Sequence, residues 1–291
     1  MDGGRRRPIG VFDSGLGGLT VLRALHRRLP GEDLIYFGDT ARVPYGTKGE
    51  KTVRAFARQD AGVLVERGVK LVVVACNTAS AFALDHLREV LPVPVLGVIE
   101  PGVDEALRAT RGGPVGVIGT SGTIRSGRYQ QELQRRLPGV RIVARECPLF
   151  VPLVEEGLMG HAMTAMAARD YLAPLREAGV DTLILGCTHY PLLKADIGRE
   201  MGSGVALVDS AEALAAAVQE LLAARGLQCS DGDGGGEGEG GRAGELAFLL
   251  SDIPWKFAEI GARFLGRPIA DVVTVGLDEM EEAGRRLAER A

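Results

Sequence analysis

Short apolar runs alternate along the chain with longer segments in which apolar residues recur every three or four positions. The first run, at residues 8–13, is followed by leucines at helical spacing, namely Leu19, Leu22, Leu25 and Leu29. This spacing places the leucines on one face of a helix. Strands that are almost continuously apolar and are separated by helices are typical of a parallel sheet covered on both faces. The pattern therefore predicts an α/β fold.

The succession of strands and helices occurs twice. "IGVFDSG" matches "VGVIGTSG", so that Gly10 corresponds to Gly116 with an offset of 116 − 10 = 106. "VVVACNT" and "LILGCTH" each run into a cysteine, and Cys76 and Cys187 differ by 187 − 76 = 111. Offsets this similar indicate an internal duplication. We expect two similar α/β domains, related by a pseudo-twofold axis, with mainly parallel sheets flanked by helices and with the active site in the cleft between them.

The domain bounds follow from the duplication. We expect the first domain to comprise residues 1–98 plus 209–291, because the C-terminal part should pack back on the first half, and the second to comprise 99–208. Residues 230–244 contain glycine and acidic residues without apolar side chains, which predicts a flexible surface loop. After this loop the pattern predicts a strand, a helix, a short strand and a charged tail.

The composition narrows the function classes. With 46% hydrophobic residues and a formal charge of -4, the chain resembles an ordinary globular protein and has no general positive field for nucleic acid. No apolar run approaches the roughly eighteen residues that a membrane span needs, so we expect a cytoplasmic protein. Four cysteines occur without CxxC spacing. We expect no metal site, and we interpret Cys147 and Cys229 as structural thiols.

The other two cysteines occupy positions where chemistry is common. In an open parallel sheet ligands bind beyond the carboxyl ends of the strands, where Cys76 and Cys187 are predicted to lie. Asn77, Thr78 and Thr188 follow them and can bind an anion at a helix N-terminus. Two thiols on opposite sides of a cleft suit the inversion of a stereocentre, since one accepts a proton while the other donates one. A hydrolase with one nucleophilic cysteine would give the second cysteine no function.

Polar residues near these strand ends are further candidates. Asp13 and Ser14 end the first strand, and Asp13 either caps the next helix or orients a substrate ammonium. Thr120 and Thr123 occupy the equivalent loop of the second half, and their hydroxyls suit a carboxylate. His189 follows the second cysteine by two residues and is either structural or able to relay the proton of that thiol.

Three other local patterns leave alternatives or exclude a site. Tyr45 and Gly46 predict a turn, with a wall of the pocket as the alternative. Glu155 is typical of a solvated helix edge. The glycine-rich turn through Gly17 has Thr20 where a dinucleotide fingerprint needs its third glycine. No lysine has a clear Schiff-base context, so we expect no cofactor.

Several longer motifs resemble glutamate racemases. They lie in the order "GVFDSGLGGLTVL", "YFGDTARVPYG", "ACNTAS", "GVIEPG", "GTSGT", "CPLFVPLVEEG" and "LGCTHYP", between residues 8 and 276. The resemblance implies cofactor-independent interconversion of L- and D-glutamate, which supplies D-glutamate for peptidoglycan. It also implies a homodimer of two-domain subunits that bind glutamate between their domains.

The resemblance also implies roles for individual residues. Cys76 and Cys187 would be the acid/base pair, and Asp13, Glu155 and His189 the auxiliary polar residues. The matching substrate-binding positions are Asp13, Ser14, Tyr45, Gly46, Asn77, Thr78, Thr188 and His189. Two alternatives stay open: a related racemase acting on aspartate or another amino acid, and a non-enzymatic protein that clamps a small anion.

Overall fold

A computed structural model describes residues 4–229 and 243–290 of the chain. The strands are β1 Ile9–Asp13, β2 Leu34–Gly38, β3 Leu71–Val74, β4 Val95–Gly97, β5 Val115–Gly119, β6 Ile142–Glu146, β7 Thr182–Gly186, β8 Ala206–Asp209, β9 Leu246–Leu250 and β10 Val272–Thr274. The helices are α1 Leu19–Arg28, α2 Glu50–Glu66, α3 Asn77–Val90, α4 Ile99–Ala109, α5 Ser121–Arg125, α6 Arg128–Arg136, α7 Phe150–Glu155, α8 Ala162–Glu177, α9 Lys194–Met201, α10 Ser210–Ala224, α11 Phe257–Leu265 and α12 Leu277–Arg290.

The strands form two parallel sheets, which confirms the predicted α/β fold. The first has the order β10-β9-β2-β1-β3-β4 and the second the order β6-β5-β7-β8. The order β2-β1-β3-β4 in one sheet equals β6-β5-β7-β8 in the other, as an internal duplication predicts. The matched glycines even pack alike. A Cβ at Gly10 would lie 3.0 Å from Leu64 Cδ1, and one at Gly116 would lie 2.8 Å from Leu175 Cδ2.

The C-terminal strands extend the first sheet. β9 pairs with β2, and β10 pairs with β9. The predicted charged tail is wrong as a description of residues 277–290, because they form α12, whose Met280, Ala283 and Leu287 are buried against the first sheet's helices. The charged residues of this helix occupy its other face. Composition alone therefore does not reveal the apolar stripe along the helix.

After β5 the chain forms two helices, α5 and α6, because Gly127 between them adopts a left-handed φ of 68°. Of the loop predicted at residues 230–244, all but the last two residues lie outside the described residues. The bounds of the two domains stay predictions.

No helix in the described part of the chain is long and apolar enough to cross a membrane. Within residues 4–229 and 243–290, no group of three or more histidine, cysteine, aspartate or glutamate side chains is arranged to hold a metal ion.

Candidate active site

The first candidate cysteine, Cys76, lies at the carboxyl end of β3 and caps the N-terminus of α3. Its Sγ accepts a hydrogen bond from the backbone N–H of Ala79 at 3.4 Å and donates one to Ser14 Oγ at 3.5 Å. Burial, followed by the negative charge of Asp13, raises the pKa of the Cys76 thiol to about 12. Cys76 is therefore held as a protonated thiol, the form that donates a proton.

The second candidate, Cys187, follows β7 and lies beside a histidine. Cys187 Sγ is 3.9 Å from His189 Nδ1, and His189 Nε2 is 3.0 Å from Glu155 Oε1. Burial opposes the charged form of His189, but the hydrogen bonds to Cys187 and Glu155 outweigh burial and raise its pKa to about 10. At neutral pH His189 is therefore an imidazolium, placed to stabilise negative charge on the Cys187 sulfur.

The loop between β1 and α1 carries Asp13 and packs against the loop that follows β7. A Cβ at Gly17 would overlap Thr188 Oγ1, and Thr20 Oγ1 donates to the Thr188 carbonyl at 3.3 Å. Asp13 Oδ2 accepts from the Gly15 N–H at 3.1 Å. Asp13 Oδ1 is buried without a hydrogen-bond partner in the described part of the chain, and burial raises the pKa of this carboxyl group. The glycines thus bring an unsatisfied carboxyl oxygen close to both cysteine loops.

Three threonine hydroxyls join the two halves of the chain. Thr78 Oγ1 lies 3.0 Å from Thr120 Oγ1 and 3.1 Å from Thr123 Oγ1, and the last two are 3.1 Å apart. Thr123 is fully buried behind the other two. A Cβ at Gly46 would lie 2.6 Å from Thr120 Cβ, so only a glycine allows residues 43–47 to approach the second half this closely.

Tyr45 was predicted to lie either in a turn or in a wall of the pocket, and both descriptions apply to it. It begins a short 3₁₀ helix, Tyr45–Thr47, and its side chain is buried. Its hydroxyl donates to Asp39 and lies 2.8 Å from Asp60 Oδ2, while Arg42 pairs with both carboxyl groups. Burial raises the pKa of Asp60 well above its ordinary range. The hydroxyl therefore bonds to carboxyl groups of the first half, and the rest of Tyr45 is left to line the cavity between the two sheets.

A cavity of about 30 Å³ lies where the two sheets' carboxyl ends meet. Most predicted site residues line it, namely Ser14, Tyr45, Gly46, Cys76, Asn77, Thr78, Thr120, Cys187, Thr188 and His189. Asp13, Glu155 and Thr123 do not line the cavity, but each adjoins a residue that does. The volume suffices for about two water molecules. The cleft must therefore open before a molecule as large as an amino acid can enter.

Sequence reasoning missed side chains that support this cavity. Tyr129 donates to Asn77 Oδ1 at 2.7 Å, and the Phe264 ring packs edge-on against His189 with 5.0 Å between centroids. Both come from segments distant in sequence, so no local pattern could have indicated the contacts. For Asp39 the sequence did contain an indication of a place near the site, because this residue directly follows β2 at the same sheet edge.

The remaining cysteines lie away from the cavity. Cys147 is fully buried, with its Sγ 3.7 Å from the Arg145 carbonyl oxygen, and burial raises the pKa of its thiol far above the ordinary value. Cys229 is half-buried, 3.8 Å from Lys70 Nζ. Neither thiol is placed to act together with Cys76 and Cys187.

Comparisons with known proteins show the family of this chain. The Asp/Glu/Hydantoin racemase family matches residues 9–218. A glutamate racemase of Geobacter metallireducens is 52% identical over 95% of this chain and 99% of its own length. Among solved structures, a glutamate racemase of Francisella tularensis in complex with D-glutamate has a TM-score of 0.86 at 38% identity, covering 94% of this chain and 99% of that one.

A second solved structure gives the same relationship. The glutamate racemase of Thermus thermophilus in complex with beta-chloro-D-alanine has a TM-score of 0.82 at 47% identity, covering 94% of this chain and 99% of that one. The residues matched by the family, 9–218, include both cysteine-bearing strand ends. The chain therefore belongs to the glutamate racemases of the Asp/Glu/Hydantoin racemase family.

Proposed function

We propose that the protein interconverts L- and D-glutamate without a cofactor, with Cys76 and Cys187 as the paired acid and base. One observation carries this proposal: both thiols line the same cavity, with Ser14 within hydrogen-bond distance of Cys76 and His189 beside Cys187. Inversion at a carbon centre needs this combination, a proton donor on one face and a proton acceptor on the other.

In one direction the Cys187 thiolate removes the α-proton, and the electron pair of the C–H bond spreads onto the substrate carboxylate. The Cys76 S–H then donates its proton to the opposite face of the α-carbon. The products are the mirror-image amino acid, a Cys187 thiol and a Cys76 thiolate. The opposite enantiomer finds the pair in this second state and is converted by the same steps in reverse.

The surrounding groups fit the charges of an amino acid. Asp13 Oδ1, which has no hydrogen-bond partner among residues 4–229 and 243–290, suits the substrate ammonium. The N-terminus of α3 directly after Cys76, together with the hydroxyls of Thr78 and Thr188, suits a carboxylate whose negative charge grows in the transition state. The cavity has room for only about two water molecules, and the displacement of water by the bound amino acid would strengthen each of these contacts.

The enzyme's wider setting is proposed on the resemblance to its family. We expect the D-glutamate produced to supply peptidoglycan synthesis in the cytoplasm, and we expect the active form to be a homodimer. Size-exclusion chromatography with light scattering tests the oligomeric state, and a dimer mass is the predicted result.

The reaction itself is tested by following optical rotation when purified protein is mixed with L- or D-glutamate. We expect both enantiomers to decay to the racemate, and neither L-aspartate nor L-alanine to do so at a comparable rate. Cys76→Ala and Cys187→Ala should each abolish the change, whereas Cys147→Ala should retain it. Retained racemisation in either of the first two variants would overturn the assignment, and racemisation of aspartate instead of glutamate would overturn the substrate.

A further inference from the structure

Tyr129 joins three segments that meet behind the cavity. It lies in α6, its side chain is fully buried, and its hydroxyl donates to Asn77 Oδ1 at 2.7 Å. The Ser210 Oγ at the start of α10 lies 3.4 Å from the same hydroxyl. A residue of the second half therefore holds the side chain that directly follows Cys76 in the first half.

The ring of Tyr129 has little freedom to move. A Cβ at Gly186 would lie 3.2 Å from Tyr129 Cε2, and a Cβ at Gly102 would lie 2.7 Å from Ser210 Oγ and 3.7 Å from the Tyr129 hydroxyl oxygen. Both positions are glycines, which leaves space for the phenol and its hydrogen bonds. The hydroxyl is thus fixed in position by packing from two sides.

The direction of the hydrogen bond determines which end of the Asn77 amide faces the cavity. Burial raises the pKa of Tyr129 far above its ordinary value, so the phenol stays neutral and keeps its proton. A phenol that donates to Asn77 selects the Oδ1 end of the amide. Nδ2, with its two N–H donors, lies at the opposite end of the amide, in a residue that lines the cavity.

We propose that Tyr129 is a positioning residue that orients Asn77 so that its Nδ2 donates to a carboxylate of the bound amino acid. The proposal rests on the function proposed above and assigns a specific part of glutamate binding to a side chain outside the cavity. Without the phenol hydroxyl, the Asn77 amide can rotate by 180° and present an oxygen to the carboxylate, which repels it.

The direct test is Tyr129→Phe, which removes only the hydroxyl. We expect KM for both glutamate enantiomers to rise about tenfold, the effect of one lost hydrogen bond, while kcat changes by less than about twofold. Tyr190→Phe is the matched control, because Tyr190 is equally buried and its hydroxyl donates to the Cys147 carbonyl at 2.8 Å instead of to a cavity residue. An unchanged KM in Tyr129→Phe, or an equal rise in the control, would overturn the proposal.

A double-mutant cycle separates positioning from packing. If Tyr129 acts through Asn77, then Tyr129→Phe should change KM by less than about twofold in an Asn77→Ala background. Additive effects of the two substitutions would contradict the proposal.

Should Tyr129→Phe lower the melting temperature too far for assay, Asn77→Asp provides a second test. Its carboxylate still accepts from Tyr129 but offers no N–H, so glutamate binding should fall by about a hundredfold or more; undiminished binding would refute the inference.

Calorimetric titration with glutamate keeps this test independent of turnover. If the unaltered protein binds glutamate but leaves its optical rotation unchanged, the proposed racemisation fails. The Tyr129 inference is then decided by whether Kd rises in Tyr129→Phe and stays unchanged in Tyr190→Phe.

Discussion

Replacing Glu155 by Gln tests the electrostatic basis for the Cys187 side of the mechanism. The substitution keeps an oxygen that can accept from His189 Nε2 but removes the negative charge 3.0 Å away. A nearby opposite charge shifts a pKa by about 1–3 units. Because the Glu155 side chain is 36% exposed, solvent screens its charge, and we expect the lower end of that range, about one unit. The pKa of His189 should therefore fall from about 10 to about 9.

This shift is measurable by NMR titration of the histidine ring protons, since the chain contains only four histidines. Glu156→Gln is the matched control, because Glu156 pairs with Lys256 on the surface and has no bond to His189. It should leave the titration of His189 unchanged. A His189 resonance that titrates near 6.5 in the unaltered protein, or one that Glu155→Gln does not move, would refute the reasoning.

The same shift has a consequence for stability with a defined sign. The folded-state pKa of His189 lies above the ordinary value of 6.5, so its protonation stabilises the folded state fully below about pH 6.5. This contribution is lost as the pH rises toward 10. In Glu155→Gln the loss should be complete about one pH unit earlier, as urea unfolding across this pH range would report.

Two structural predictions concern the packing of Gly17 and the buried ion pair of Lys70. Gly17→Ala should lower kcat/KM at least about tenfold, because its methyl group would overlap the loop that carries the second cysteine, whereas Gly49→Ala, with no atom within 4 Å of an added Cβ, should leave it unchanged. Lys70→Met should cost about 3–5 kcal/mol in urea unfolding, since it removes the ion-pair partner of the buried Glu32 carboxylate. Lys256→Met breaks an exposed pair and should have little effect, so an equal loss in both variants would contradict the burial argument.

The fold could be predicted largely because it repeats a simple pattern. The runs that became β1, β3, β5 and β7 are buried along their whole length, so their sequences are almost continuously apolar. The two cysteines could be placed at strand ends for the same reason. Residues 277–290 show the limit of composition, since an amphipathic helix rich in charge reads as a tail unless the spacing of its few apolar residues is examined.

The support of the site could not be predicted in this way. Tyr129 and Phe264 reach Asn77 and His189 through contacts between segments far apart in the chain, and neither residue stands in a distinctive local pattern. The different surroundings of the two thiols are also a tertiary effect. Burial and Asp13 raise the pKa of Cys76, whereas His189 lies between Cys187 and Glu155. Only the folded chain brings these groups together.

Hydrogen exchange at the α-carbon tests the two-thiol account most directly. L-Glutamate and D-glutamate are incubated separately with the unaltered protein in deuterated water, and the α-hydrogen of substrate and product is followed by NMR from the first turnovers. Because one thiol removes the substrate proton and the other delivers a solvent-derived one, the product should carry deuterium while the remaining substrate still carries hydrogen. A product that retains the substrate's own α-hydrogen, or substrate and product that acquire deuterium at equal rates, would contradict the account.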